Sequence, residues 1–143
     1  MKVLIPVDGS ECALRAVAHA IRLARSRAEG GEALDLHLLS VQTPLPGSVG
    51  MFIGGKDIKD YHRDEGMKAL APARKLLEEA GLAHSIHIDV GSPGELIARY
   101  AKDLGVDEIV MGTRGLGNIA DAILGSTSED VLRLSPLPVV LIR

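Results

Sequence analysis

The sequence predicts an α/β protein in which a parallel sheet is covered by helices on both faces. Short apolar runs alternate with longer segments whose apolar residues recur at helical spacing, which is typical of strand–helix–strand units with right-handed crossovers. Hydrophobic residues make up 46% of the 143 residues, yet aromatic residues only 2%. Small aliphatic side chains suit close packing of helices on a parallel sheet. The length suits a single doubly wound domain over residues 1–143.

The first half of the chain supplies two strands and a helix. A continuous apolar run predicts a strand over residues 2–7, ending at the turn Asp8-Gly9-Ser10. A helix with an apolar stripe follows from about Ser10 and ends at Gly30-Gly31. The second strand is predicted over residues 34–41.

A loop and a second helix separate this strand from the third. Glycines and prolines predict a loop over residues 43–56, whose apolar tip, Met51-Phe52-Ile53, is a hypothetical docking element for the ligand site or a partner protein. A helix is predicted over residues 58–80, and alternating residues predict a strand over 84–90.

The second half continues the alternation with two helices and two strands. Ser92-Pro93-Gly94-Glu95 predicts a helix start in which Ser92 is the N-cap and Glu95 completes a capping box. Strands are predicted over residues 108–111 and 137–142, with the last helix between them. The result is a five-stranded sheet.

Charge and composition exclude several classes of protein. A formal net charge of −3 does not favour binding to nucleic acid. The single cysteine, Cys12, excludes an internal disulfide. The opening MKVLIPVDGS has too short an apolar run for a signal peptide, and no other span approaches membrane length. We therefore expect a cytoplasmic protein that contacts neither membrane nor nucleic acid.

Two glycine-containing segments mark the candidate site. In doubly wound sheets ligands bind beyond the carboxyl ends of the strands, where Asp8-Gly9-Ser10 and the segments Gly112–Asn118 and Gly125–Glu129 are expected. Glycines allow backbone N–H groups to approach a phosphate, and Arg114 can add a charged contact. Ser126 and Glu129 form a possible capping box that would direct a helix N-terminus at the same anion. The residues alone are equally compatible with a glycine-rich turn and a capped helix that bind no ligand.

The spacing Gly112-x2-Gly115-x9-Gly125-Ser126 resembles the ATP-binding signature of the universal stress protein family. The resemblance extends over the whole chain. It includes the opening strand that ends in residues 6–10, the segment 107–112 and the closing segment 136–140.

This resemblance implies strand order 3-2-1-4-5, an adenine nucleotide alpha hydrolase-like fold, and ATP at the junction of strands one and four. AMP or ADP is an alternative ligand, and Mg²⁺ would accompany a triphosphate. Two features depart from the family pattern: Asp121 adds a negative charge to the phosphate segment, and Thr127 replaces a small aliphatic residue. The implied site residues are Pro6, Val7, Asp8, Val41, Met111, Gly112, Arg114, Gly115, Gly117, Asn118, Gly125, Ser126 and Thr127.

The resemblance also implies a homodimer that forms through the last strand, which would cover an exposed sheet edge. The expected role is that of an ATP-binding regulator in the stress response, with an unidentified protein partner. A dimerisation module with a vestigial site and a slow ATPase are the alternatives.

Other chemistries have little support in the sequence. Asp8 lacks the additional acidic residues and the lysine that a phosphoacceptor domain needs, and a flavin site would need more aromatics and a hydroxyl-rich loop. Cys12 lacks a resolving partner. The histidines show no metal-ligand spacing and are expected at the surface. No nucleophile–base pair stands out, so we do not expect a dedicated enzyme.

Overall fold

A computed structural model of the chain describes residues 1–47, 54–115 and 124–143. Within these residues, strands and helices alternate along the chain. The elements are β1 (Lys2–Pro6), α1 (Glu11–Glu29), β2 (Asp35–Gln42), α2 (Gly55–Glu79), β3 (His84–Val90), α3 (Pro93–Leu104), β4 (Glu108–Gly112), α4 (Ser126–Leu134) and β5 (Val139–Ile142).

The strands form one parallel sheet in the order β3-β2-β1-β4-β5. The central strand β1 pairs with β2 in the register Val3↔Leu36 and with β4 in the register Val3↔Glu108. The predicted fold class and strand order are therefore confirmed. Strand order reverses between β1 and β4, and in such sheets this junction is where ligands bind.

Helices cover both faces of the sheet and create two apolar clusters. Helices α1 and α2 pack on one face, and α3 and α4 pack on the other. Adjacent residues of β1 alternate between the clusters, since Leu4 faces α3 and α4 whereas Val3 and Ile5 face α1 and α2. Because both faces are buried, β1 is a continuous apolar run, which is the signal that predicted it.

The first turn after β1 fixes where α1 begins. Gly9 has φ of +85°, a left-handed conformation that glycine adopts at little cost. The hydroxyl of Ser10 then accepts a hydrogen bond from the Ala13 N–H at 3.2 Å, so Ser10 is the N-cap as the sequence predicted. This turn leads the chain from the end of β1 directly over the carboxyl edge of the sheet.

Two predicted element starts are wrong by two or three residues, and the N-cap of α3 is at the predicted residue but lacks the predicted side-chain hydrogen bond. Helix α2 begins at Gly55 instead of residue 58, because the Gly54 carbonyl accepts from the Ile58 N–H at 3.0 Å and the polar first turn carries no apolar signal. Strand β5 begins at Val139 instead of residue 137, since Pro138 has no N–H to donate. Ser92 is the N-cap of α3, but its side chain makes no capping hydrogen bond.

The prediction that the histidines are surface residues is also wrong. His37 and His62 are buried, and the other three histidines are half-buried. The predicted docking tip, Met51-Phe52-Ile53, lies outside the described residues.

Among the helices that the structure describes, none is long and apolar enough to cross a membrane.

Candidate functional site

A cavity of about 460 Å³ lies at the carboxyl ends of β1, β2 and β4. Its volume falls in the range of small-molecule sites. The residues that line it come from both sides of the point where strand order reverses. They are Pro6, Val7, Asp8, Ala13, Leu39, Ser40, Val41, Gln42, Thr43, Ala69, Pro93, Ile97, Met111, Gly112, Arg114, Gly115, Gly125, Ser126, Thr127 and Ser128.

Asp8 forms the rim of the cavity at the end of β1. Its Oδ1 atom accepts a hydrogen bond from the backbone N–H of Ser10 at 2.9 Å, which orients the carboxylate in the turn. Its Oδ2 atom lies against the Cα of Gly115, so close that a Cβ at this position would collide with it. The turn after β1 and the segment after β4 therefore meet at the cavity, and glycine at position 115 permits that approach.

Backbone hydrogen bonds fix both ends of the segment that follows β4. The Thr113 N–H donates to the Ile142 carbonyl at 2.8 Å, and the Thr113 carbonyl accepts from the Gly125 N–H at 2.6 Å. A Cβ on Gly125 would lie 3.3 Å from the Thr113 carbonyl oxygen, closer than most side chains tolerate. Residues 112–115 and 125–127 are consequently held together in one wall of the cavity, here called the glycine wall, although nine residues of sequence separate them.

Helix α4 starts in this same wall. Gly125 is its N-cap, with φ −75° and ψ 162°, and the Gly125 carbonyl accepts from the Glu129 N–H at 3.1 Å. The predicted role of Ser126 as N-cap is therefore wrong by one position, since Ser126 is already the first helical residue. Because the first N–H groups of a helix have no intrahelical acceptor, Ser126 and Thr127 present backbone donors and the positive end of the helix dipole at the cavity, whereas the Gly125 N–H is already bonded to Thr113.

Ser128 fastens α4 to the end of β4. Its buried hydroxyl donates to the Gly112 carbonyl at 2.9 Å. This hydrogen bond engages the proton of the hydroxyl, which is then not available for donation to a ligand. Ser128 therefore acts first as a structural link between helix and strand.

Cys12 lies directly behind the same wall. Its sulfur donates to the Ile142 carbonyl at 3.1 Å and lies 4.0 Å from the Thr113 hydroxyl. Burial by itself raises the pKa of the thiol, but hydrogen bonds with the backbone of Arg114 and with Thr113, together with the charge of Arg15, lower that pKa overall. The surroundings of Cys12 therefore favour its thiolate form relative to an ordinary cysteine.

The opposite wall is formed by the end of β2 and by α3. Gln42 donates from its side-chain amide to the Ser40 hydroxyl at 3.1 Å, and Pro93 and Ile97 of α3 close the cavity from the second face of the sheet. Apolar lining residues such as Ile97 were missed as site residues because their spacing is that of an ordinary core stripe. Gln42 and Ser40 were also missed, although both are adjacent in sequence to the predicted site residue Val41.

Every predicted site residue within the described ranges lines this one cavity. Gly117, Asn118 and Asp121 lie outside the described residues. Among the residues that the structure describes, no group of three or more His, Cys, Asp or Glu side chains could hold a metal ion. The arrangement is suited to an elongated ligand with an anionic end at the glycine wall.

Comparison with known proteins identifies relatives that match nearly the whole of this chain. YxiE, a universal stress protein of Bacillus subtilis (strain 168), is 33% identical over 148 residues, with 99% of this chain and 98% of the relative covered. The structure of the protein MJ0577 of Methanocaldococcus jannaschii matches with a TM-score of 0.83 at 32% identity, covering 99% of this chain and 94% of that one.

Two further solved structures hold nucleotides. A universal stress protein in complex with cAMP is 25% identical, with a TM-score of 0.72 and coverage of 100% of this chain and 97% of that one. The universal stress protein of Archaeoglobus fulgidus in complex with dAMP has the same identity and TM-score, with coverage of 100% and 98%. The family model described as "Universal stress protein family" matches residues 1–143. The chain therefore belongs to the universal stress protein family.

Proposed function

We propose that this protein binds an adenine nucleotide in the cavity and acts as a nucleotide-dependent regulator. The observation that carries the proposal is the glycine wall, in which residues 112–115 and 125–127 and the N-terminus of α4 face one cavity. Backbone N–H groups of this kind bind phosphate without any specialised side chain. Arg114, which lines the same wall, adds a positive charge.

The topology also suits the length of a nucleotide. Strands β2 and β4 flank β1, so their ends are separated by two strand spacings, or about 10 Å. A phosphate on the wall after β4 would therefore direct a base toward β2, where Val41 and the amide of Gln42 lie. Pro6 and Val7 would form the floor between the two ends.

The solved relatives in complex with cAMP and dAMP support an adenine nucleotide as the ligand class. We propose ATP as the ligand in this chain, with AMP or ADP as alternatives, and Mg²⁺ as the companion of the triphosphate. The residues fit such a group, because a Cβ at Gly115 or Gly125 would intrude on the wall where the phosphates would bind. Bound nucleotide would set the conformation that a partner protein recognises.

The first test is mass spectrometry of nucleotide released from protein purified without added ATP. A thermal shift with ATP and Mg²⁺ is the second readout, since ligand at 100 times its Kd stabilises a protein by about 2.7 kcal/mol. We expect Gly125→Leu to abolish both signals, because its side chain would fill the wall. Gly30→Leu is the matched control, since Gly30 ends α1 on the surface with φ of −87°.

Two results would count against the proposal. Absence of released nucleotide together with no thermal shift would favour a dimerisation module with a vestigial site. Equal shifts for the wild-type and Gly125→Leu proteins would mean that nucleotide binds elsewhere. Time-dependent formation of ADP that is lost with Gly125→Leu would identify slow hydrolysis at the same site.

A further inference from the structure

A histidine pair lies on the sheet face that α3 covers. His37 of β2 is only 8% exposed, and His87 of the neighbouring strand β3 is half-buried. The His37 Nδ1 and His87 Nε2 atoms are 2.9 Å apart, and the rings stack with centroids 5.2 Å apart at an interplanar angle of 17°. The proposed nucleotide function does not use either ring.

This contact limits the number of protons that the pair can hold. A nitrogen–nitrogen hydrogen bond needs one donor and one acceptor, so the two facing nitrogens share a single proton. When both rings are protonated, both facing nitrogens carry hydrogen, and the hydrogen bond is replaced by repulsion between two cations. The pair therefore accepts one positive charge but not two.

The surrounding charges also favour a single proton on the pair. From β2, the Asp35 Oδ1 atom lies 3.1 Å from His37 Nε2, and from β1 the Lys2 Nζ atom lies 3.9 Å from Asp35 Oδ2. On β3, Asp89 pairs with Arg99 of α3 at 3.9 Å.

The charge of Asp103, also on α3, raises the pKa of Tyr100, the residue that contacts the His87 ring. The charges named here, those of three carboxylates (Asp35, Asp89 and Asp103) and two cations (Lys2 and Arg99), sum to −1. One histidine proton neutralises the cluster, whereas a second makes it positive.

The histidine pair is linked to α3 through an aromatic contact. The rings of His87 and Tyr100 have centroids 5.5 Å apart, and the Tyr100 hydroxyl donates to the Asp89 Oδ2 atom at 3.0 Å. Burial, followed by the hydrogen bond and charge of Asp89, raises the pKa of Tyr100, so its hydroxyl keeps its proton. The same helix contributes Pro93 and Ile97 to the cavity wall.

We propose that His37 and His87 form an acid-sensitive clamp between the edge strand β3 and helix α3. When both imidazoles become charged, α3 loosens from the sheet and the cavity wall that it supplies opens. The predicted consequence for nucleotide affinity rests on the proposed function above, whereas the loosening of α3 does not.

The sign of the pH dependence follows from the folded state. Burial, and then the charge of His37, lowers the pKa of His87 below its ordinary value of 6.5. The unfolded chain therefore takes up a proton near pH 6.5 that the folded chain binds only at lower pH. The stabilisation is fully present above about pH 6.5 and decreases as pH falls toward the folded pKa, by up to tenfold in the unfolding constant per pH unit.

The decisive measurement is NMR titration of the imidazole nitrogens in the wild-type protein, which needs no variant. We expect the His87 ring to take up its proton below pH 6.5, because burial and the charge of His37 lower its pKa. Amide exchange in α3, corrected for the intrinsic rate, should accelerate relative to α1 as His87 becomes protonated. Protonation of His87 at or above pH 6.5, or unchanged exchange in α3, would overturn the clamp.

Variants provide a second measurement. His87→Gln keeps a hydrogen-bonding group toward His37 but cannot be charged, so its unfolding constant should change less between pH 7.5 and 5.0 than that of the wild type. His19→Gln is the matched control, since His19 is half-buried on α1 at the other face of the sheet. Parallel pH profiles for the wild-type and His87→Gln proteins would refute the assignment.

Nucleotide binding separates this inference from the proposed function. Weaker ATP binding at pH 5.5 than at pH 7.5 in the wild type, with a smaller change in His87→Gln, supports the link between clamp and cavity. Equal affinity at both pH values overturns that link. Absence of binding at pH 7.5 contradicts the proposed function instead, and the exchange measurement then decides the clamp.

Discussion

Gly112 ends β4 against the first turn of α1, and the space beside it is occupied. A Cβ at this position would lie 2.7 Å from the Cys12 sulfur and 3.0 Å from the Cys12 carbonyl carbon. The second contact is with backbone, so rotation of the thiol cannot relieve it. The same glycine carries the carbonyl that Ser128 holds, and it therefore joins strand, helix and cavity wall.

We predict that Gly112→Ala lowers the free energy of unfolding by about 1–3 kcal/mol, the usual cost of overpacking. Urea denaturation monitored by circular dichroism measures this difference. Gly30→Ala serves as the control, because a Cβ there meets only the Arg27 carbonyl at an ordinary 3.5 Å. A Gly112→Ala protein as stable as the wild type would show that α1 moves away from β4 at little cost.

Helix α2 contains a proline, a residue that disfavours the helical conformation. Pro72 lies in its interior, where it lacks the N–H that would donate to the carbonyl of Lys68. Its side chain is exposed, and the neighbouring Leu70 and Ala73 are buried in the core. The helix thus persists because its apolar face packs on the sheet and not because of local propensity.

We predict that Pro72→Ala raises the free energy of unfolding by about 1–3 kcal/mol, because it restores the hydrogen bond and removes the clash of the ring. Thermal unfolding gives the comparison. Ala71→Pro, one position earlier on the exposed side, should destabilise the protein. An unchanged midpoint for Pro72→Ala would mean that the missing hydrogen bond and the proline ring do not destabilise α2 in this fold.

The elements were predictable where periodicity or apolar runs were continuous. Strand β1 and helix α1 follow directly from their buried positions and from the Ser10 cap. The start of α2 was not predictable, because Gly55-Lys56-Asp57 carries no apolar residue and the backbone cap of Gly54 leaves no side-chain signature. The burial of His37 and the partial burial of His87 were also missed, since a polar residue on a strand does not indicate whether a helix covers it.

The candidate site was predictable where backbone geometry demands glycine. Gly112, Gly115 and Gly125 could be recognised from their spacing, and all three line the cavity. Pro93 and Ile97 could not, because a residue that lines a cavity and one that fills a core have the same helical periodicity. The predicted N-cap of α4 was wrong by one residue. The sequence favoured Ser126, which has a capping side chain, whereas the observed N-cap, Gly125, is identified only by its backbone conformation.

At the scale of the whole molecule, β5 lies at one edge of the sheet and pairs with β4 alone among the described strands. Its residues Val139–Ile142 are half-buried and apolar. Leu132 and Leu134, on the preceding helix, are 44% and 39% exposed. An apolar edge with adjacent exposed leucines is a surface that proteins normally cover.

We therefore propose that two copies associate through β5, and we predict a dimer at micromolar concentration. Sedimentation equilibrium over a dilution series gives the mass directly. A mass of 15.1 kDa at every concentration, which is that of one chain, would disprove the dimer. Tyr61→Ser should leave the measured mass unchanged, since Tyr61 is as exposed as Leu132 but lies on α2, away from the β5 edge.

The pairing of Val3 with Glu108 has a consequence for the newly made chain. Strands β1 and β2 can pair as soon as residue 42 is available, but the other side of β1 must wait for β4, which ends at residue 112. Those 70 residues (112 − 42) take roughly 4–14 s to synthesise at ordinary ribosome rates. Throughout that interval the central strand of the sheet has one unpaired side, so chaperones that recognise exposed apolar segments have their best opportunity before the fourth strand emerges.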